Sequence, residues 1–207
     1  MKVTAIEKLS GSRSKVYIDG EFAFVLYKGE LMLYHVCVGG EITQRDYDEI
    51  WKEVLPKRAK LRAMNLLTKR EYTEKQLENK LEAGFYPREI IKEALAYVAG
   101  FHYTDDLRYA CDYITDHENV RSRKRIEQDL LRKGIDRATL EHAWAKWEEQ
   151  GGSQDETSMV RALLKKRGYD AENAEIRERQ KAYAFLIRKG FSGETIRKVL
   201  KAEDIEA

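Results

Sequence analysis

Leu81-Glu82-Ala83-Gly84-Phe85, Leu131-Arg132-Lys133-Gly134-Ile135 and Ile187-Arg188-Lys189-Gly190-Phe191 are three versions of one phrase. Each has an apolar residue six positions past its glycine: Ile90, Leu140 and Ile196. The glycines lie 50 and then 56 positions apart, so the chain repeats itself about every fifty residues. Repeats of that length stack supersecondary units, which bury apolar faces against their neighbours and present a long surface. Such surfaces suit extended partners better than they enclose a compact catalytic pocket. The expected class is a binding protein.

On either side of these phrases, the chain beyond Pro56 reads as helix throughout. In the first unit Leu61, Met64 and Leu67 form an apolar stripe, and Thr73 caps a second helix running to Ala83. Gly84 fits the position after that helix, where a left-handed backbone favours glycine. Pro87 suits the first turn of a third helix holding Ile90, Ile91, Ala94, Leu95 and Val98, with Gly100 at its end. In the second unit Thr104 caps a helix holding Leu107, Ala110, Cys111 and Ile114, with Asp105 and Asp106 near its positive end. Ser122 begins the next, Gly134 ends it, and a third carries Leu140, Ala143, Trp144 and Trp147. Gly151-Gly152-Ser153 reads as a linker. The third unit spans Asp155 to Gly168, Ala174 to Lys189 and Gly193 to Ala202. Nine helices in three sets of three are expected.

The first fifty residues differ. Val16-Tyr17-Ile18 and Phe22-Ala23-Phe24-Val25-Leu26 are rich in β-branched and aromatic residues, and Asp19-Gly20 between them is a hairpin-turn dipeptide. Val3 to Ile6 adds a third strand, with Ser10-Gly11-Ser12 as the loop after it. Three strands need a helix over one face; the segment after Lys28-Gly29, or the helix that Thr43 and Asp46 begin, supplies it. The fold class is mainly α: three tandem three-helix repeats in an elongated array, with a small N-terminal β-hairpin-containing module. The divisions fall at 1–55 for the module and at 56–102, 103–150 and 153–207 for the repeats.

At 207 residues the chain has room for a real core. It is 36% charged, with mean hydropathy −0.65, yet 43% hydrophobic with regular spacing, which favours salt-rich amphipathic helices over disorder. Cys37 and Cys111 form no C-x-x-C pair and the four histidines have no ligand spacing with them, so reduced thiols and no metal are expected. Met1-Lys2-Val3-Thr4 opens no signal segment, and no run of eighteen apolar residues occurs. A cytoplasmic protein, with no membrane and no cofactor, is expected.

The net charge of +2 conceals local clusters. Six cations and no acid lie between Lys57 and Arg70. Arg121, Arg125, Gln128 and Arg132 share one side of a helix, and 56 positions on stand Arg177, Lys181, Ala184 and Arg188. Ile126, Leu130 and Leu131 take the inward side, so the stripe is expected to be exposed. Fifty positions back the same places hold Glu71, Lys75, Glu78 and Glu82; the first unit instead carries Arg58, Arg62, Asn65 and Lys69 on its first helix. Two readings stand: cations tracking a polyanion, or a solvated face paired internally through Glu127 and Asp129. No base-reading arrangement is visible. The aromatic residues fall at core spacing or beside helix-ending glycines and read as packing. Asp105 and Asp106, the acids an enzyme would use, read as helix-start charges with no catalytic partners, so no enzyme is expected.

Four stretches carry a family likeness: Ala63-Met64-Asn65-Leu66-Leu67-Thr68-Lys69-Arg70-Glu71-Tyr72-Thr73-Glu74-Lys75-Gln76-Leu77, Tyr113-Ile114, Asp129-Leu130-Leu131-Arg132-Lys133-Gly134-Ile135 and Leu186-Ile187-Arg188-Lys189-Gly190-Phe191. In this order they resemble the RecX regulatory proteins, modulators of the bacterial recombinase RecA. The likeness covers residues from about 57 onward, and the N-terminal strands are similar to the extra module of longer Gram-positive members. The resemblance implies a non-enzymatic protein that binds the RecA–DNA filament and inhibits strand exchange and co-protease activity; a monomer is expected. Single- or double-stranded DNA would be met through RecA or directly. The alternative is a general nucleic-acid-binding repeat protein acting without RecA.

Overall fold

The computed structural model describes residues 1–170 and 173–200, which form two compact units, Met1–Asp105 and Asp106–Ala207. The first begins with an antiparallel sheet of β1 (Val3–Lys8), β2 (Arg13–Ile18) and β3 (Glu21–Tyr27) in that order. The β2–β3 turn is the expected Asp19-Gly20, with φ of 50° and 91°, the positive pair a right-twisted hairpin requires. Val3, Val16, Ile18, Phe24 and Leu26 turn inward. After α1 (Lys28–Leu33), Thr43 caps α2 (Gln44–Glu49) by accepting from the Asp46 amide at 3.1 Å. Tyr47 of α2 then covers Phe24 of β3, ring centroids 5.7 Å apart.

From α2 the chain continues without a break through a π-helical turn (Ile50–Val54) into α3 (Leu55–Leu67). Pro56 therefore does not open a helix. It has no amide to donate, and a widened turn just before it relieves the crowding its ring brings to the preceding carbonyls. The division expected between residues 55 and 56 falls inside this helical run, and one apolar core holds both the sheet and α3, α4 (Glu74–Glu82) and α5 (Arg88–Gly100). The inner face of α3 is Leu55, Ala59, Ala63 and Leu66. The expected stripe is thus out of phase: Leu61 is exposed, while Met64 and Leu67 are half-buried at the margin.

The second unit comprises α6 (Asp106–His117), α7 (Arg123–Arg132), α8 (Arg137–Glu149), α9 (Glu156–Lys166), α10 (Ile176–Arg188) and α11 (Gly193–Leu200). With α3 to α5 these make the nine expected helices among the described residues; the Ala202 end lies outside them. α6 starts two residues after Thr104, with Asp106 in its first turn. Two apolar cores serve the two triplets, one around Ile126, Leu130, Leu140, Trp144 and Trp147, the other around Val160, Leu186, Ile196 and Leu200. Gly151-Gly152-Ser153 is a compact turn: the Trp147 carbonyl accepts from the Gly152 amide at 3.0 Å. Gln154 Nε2 donates to the Glu118 and Arg121 carbonyls at 2.6 Å each.

The repeat register in the first unit is shifted by one residue from the sequence alignment. Gly134 and Gly190 are left-handed, with φ of 94° and 90°, and the amides of Ile135 and Phe191 reach back to the carbonyls of Leu130 and Leu186. In the first unit the left-handed residue is Phe85, φ 63°, and the Tyr86 amide reaches back to Leu81. Leu81 therefore corresponds to Leu130 and Leu186, all fully buried, whereas Leu131 and Ile187 are 39% and 43% exposed. Leu131 is accordingly not an inward residue of α7. The helix caps agree, since Thr73 and Ser122, 49 positions apart, both accept from the amide three residues on. Gly84 is required for another reason: a Cβ there would lie 2.9 Å from the Tyr86 ring. In the corrected register the places of Arg121, Arg125, Gln128 and Arg132 are held by Tyr72, Gln76, Asn79 and Ala83, so α4 carries no stripe.

Candidate polyanion-binding site

Ser122 ends the loop before α7, and its fully buried hydroxyl does two things. It accepts from the Arg125 amide at 3.3 Å, capping α7, and donates to the Lys189 carbonyl at 2.8 Å at the end of α10. The Arg188-Lys189-Gly190 turn of the third repeat is thereby seated on the N-terminus of the second repeat's middle helix. Gly190 permits this contact, because a Cβ there would stand 2.6 Å from Ser122 Oγ and 3.2 Å from the Arg125 amide nitrogen. The recurring glycine was legible as a helix terminator; its second duty, letting two repeats meet, was not.

The junction opens into a cavity of about 470 Å³ lined by Arg121, Arg125, Arg188 and Lys189, with Val120, Leu163, Phe185 and Phe191 as its apolar part and no acid in its wall. Lys189 stands 5.7 Å from the Phe185 ring centroid. Four cations and the positive end of α7 converge here, a setting for an anionic ligand.

The rest of the stripe has mixed standing. Asp129, 6% exposed, is held by Arg121 at 2.7 Å, by Arg125 at 3.4 Å and by Arg132. Burial alone would raise its pKa, but the Arg132 hydrogen bond and the charges of Arg125, Arg121 and Arg132 outweigh it and hold the carboxyl below its ordinary value. Three arginines thus share one carboxylate and keep a surplus of two positive charges. Arg121 also donates to the Tyr113 hydroxyl. Arg132, Arg177 and Lys181 lie outside the cavity; Lys181 borders a separate hollow whose wall includes Asp170 and Glu178.

In the first unit the expected stripe is not uniformly exposed. Arg58, 17% exposed, pairs with Glu30 at 2.7 Å and donates to the Val25 carbonyl at 2.6 Å, between the rings of Tyr27 and Tyr86. It is a clamp between α3 and the sheet. Arg62 and Lys69 are exposed as expected. The structure therefore brings Arg121, Arg125 and Arg188 together and adds Lys189 and Ser122, which helical spacing does not pick out.

The fold defines a class of protein, tandem three-helix repeats behind a small sheet, with a cation-lined cavity where the second and third repeats meet. Models of the three RecX three-helix domains match in order: the first over residues 59–97, the second over 105–143 and the third over 154–200. The regulatory protein RecX of Caldanaerobacter subterraneus subsp. tengcongensis is 30% identical over 94% of this chain and 95% of its own. That of Clostridium acetobutylicum is 29% identical over 96% and 94%. A crystal structure of regulatory protein RecX superposes with a TM-score of 0.61 at 26% identity, covering 98% of this chain and 99% of that one. RecX from Lactobacillus salivarius shares the fold, with a TM-score of 0.56 over 73% of this chain. The chain belongs to the RecX family of regulatory proteins, with the N-terminal β module of longer Gram-positive members.

Proposed function

We propose that this protein binds the RecA–DNA filament and inhibits RecA recombinase and co-protease activity as a non-enzymatic regulator in the cytoplasm. Family membership supports the partner. The observation that carries the site is the convergence of Arg121, Arg125, Arg188 and Lys189 where the second and third repeats meet, four cations around a cavity wall without an acid and only Asp129 behind them. A filament offers regularly spaced phosphates and acidic side chains, and each cation that replaces a counterion there makes binding salt-dependent.

The test separates side chains that hold the fold from those that face the partner. Reversing Arg121 or Arg125 would leave the buried Asp129 short of partners, so lost binding would be mixed with lost stability. Arg188 and Lys189 are exposed, with no ion pair among the described residues. Arg188→Glu with Lys189→Glu should abolish inhibition of RecA strand exchange and ATP hydrolysis at stoichiometric protein, with melting unchanged. Charge-assisted contacts are worth roughly 1.5–3 kcal/mol each, so the loss is large enough to read. Wild-type protein leaving both RecA activities untouched would defeat the proposal.

A further inference from the structure

A second cation-lined hollow lies wholly within the first unit, where the N-terminal sheet meets the first repeat. Its volume is about 570 Å³, and Arg13, Arg58, Arg62 and Lys80 line it without an acid. These cations differ in what they already do. Arg58 is committed to Glu30 and the Val25 carbonyl and forms a fixed wall. Arg13 donates to Ser10 Oγ at 3.2 Å, which leaves the Ser10 hydroxyl proton free to point onward. Arg62 on α3 and Lys80 on α4 have no hydrogen-bond or ion-pair partner among the described residues.

The framework around them is fixed. The Ser10-Gly11-Ser12 loop is pinned by the Leu9 amide on the Arg13 carbonyl at 2.9 Å and by the Lys28 amide on the Ser12 carbonyl at 2.8 Å. On the far side the α4–α5 turn keeps Phe85 left-handed, against Phe22 and under Lys15 Nζ at 4.4 Å, while Gly84 leaves room for the Tyr86 ring. A bulky residue held in that conformation is strained backbone retained by its surroundings. The outcome is a rigid concavity whose unspent groups are hydrogen-bond donors: two serine hydroxyls, two guanidinium groups and an ammonium.

We infer that this hollow binds a backbone phosphate of a nucleic-acid strand, and that the N-terminal module exists in part to complete it. The donor count favours phosphate over an acidic side chain. A phosphodiester brings two non-bridging oxygens that share its single charge, plus bridging ones, on a thin, flexible strand that enters a concavity, whereas a carboxylate's two oxygens, fixed to a protein surface, would leave several donors unfilled. Two cations without partners mean that binding forfeits no existing ion pair. This site needs no recombinase, so it stands apart from the function proposed above.

The experiment is fluorescence anisotropy of the full chain with labelled oligothymidylate, without RecA, across a salt series. Wild-type protein should bind with a log–log salt slope whose magnitude falls by about 1.4 in the Arg62→Ala, Lys80→Ala double variant, since each lost contact with a single-strand phosphate removes about 0.7. Affinity should fall roughly tenfold or more. Ser12→Asp, which places a carboxylate in the exposed loop wall, should weaken binding in the same direction. All three side chains are exposed, so circular dichroism and melting should not move. Unchanged slope and affinity in both variants would overturn the inference, as would no oligonucleotide binding by the wild type. Loss of RecA inhibition with intact oligonucleotide binding would assign the hollow to an acidic protein surface and overturn it equally.

Discussion

Gly190 shows how one hydrogen atom in place of a methyl group can set the distance between two repeats. Two separable effects oppose Gly190→Ala: the left-handed backbone, which costs a Cβ-bearing residue about 1–2 kcal/mol, and the collision with Ser122 Oγ and the Arg125 amide. Gly168, with φ 70° and open space around it, supplies the control. Gly168→Ala should lose only the backbone part, and Gly190→Ala clearly more, read as the difference in denaturant midpoint. Asp129 offers a second test. Its carboxyl is held below the ordinary value in the folded protein, so the stability it contributes is present above the unfolded pKa, about 3.9, and is lost as pH falls through the folded value. Asp129→Asn should therefore lower stability at neutral pH by about 1–2 kcal/mol and flatten the acid limb of the pH–stability curve. The cost stays moderate because Arg121, Arg125 and Arg132 are 38–64% exposed and rehydrate when freed.

Helix α3 and its approach illustrate which parts of the fold can be read locally. The caps Thr43, Thr73 and Ser122 were legible because a hydroxyl and the amide three residues on are neighbours in sequence. The hairpin at Asp19-Gly20 was legible for the same reason. The phase of α3 was not, because Ile50, Leu55 and Ala59 fix it through a π-helical turn that periodicity does not reveal. Nor was the role of Arg58, whose partner Glu30 lies 28 residues away. Helical spacing grouped Arg58 with Arg62, yet one is spent on the sheet and the other is free for a ligand. Arg58→Ala should lower stability by about 2–4 kcal/mol, since it strands Glu30 and the Val25 carbonyl, while Arg62→Ala should leave melting within experimental scatter. Equal effects would mean that the clamp between α3 and the sheet contributes nothing.

At the scale of the molecule, the question is which segments own a core. The sequence divides most plainly at the end of the strands, because β-branched alternation gives way to helical spacing near residue 50. Packing divides elsewhere. Phe24 and Leu26 of β3, Leu55 and Ala59 of α3, and Leu77, Leu81, Ile91 and Val98 of the first repeat belong to one apolar cluster, and the compact unit ends at Asp105. A chain cut after residue 55 would keep α2, whose Tyr47 covers Phe24, but would lose α3 to α5 and with them Ala59, Leu77, Leu81, Ile91 and Val98 of the shared core, and a small sheet needs its apolar face packed to be stable in water. Residues 1–105, expressed alone, should therefore fold, with one cooperative melting transition and dispersed amide resonances, whereas residues 1–55 should not. The mechanism demands this outcome: if Arg58 and the α4–α5 turn are what hold the sheet, the module cannot exist without the first repeat. A folded 1–55 fragment would show that the sheet is a self-sufficient domain, and the shared core would then be contact between two finished bodies.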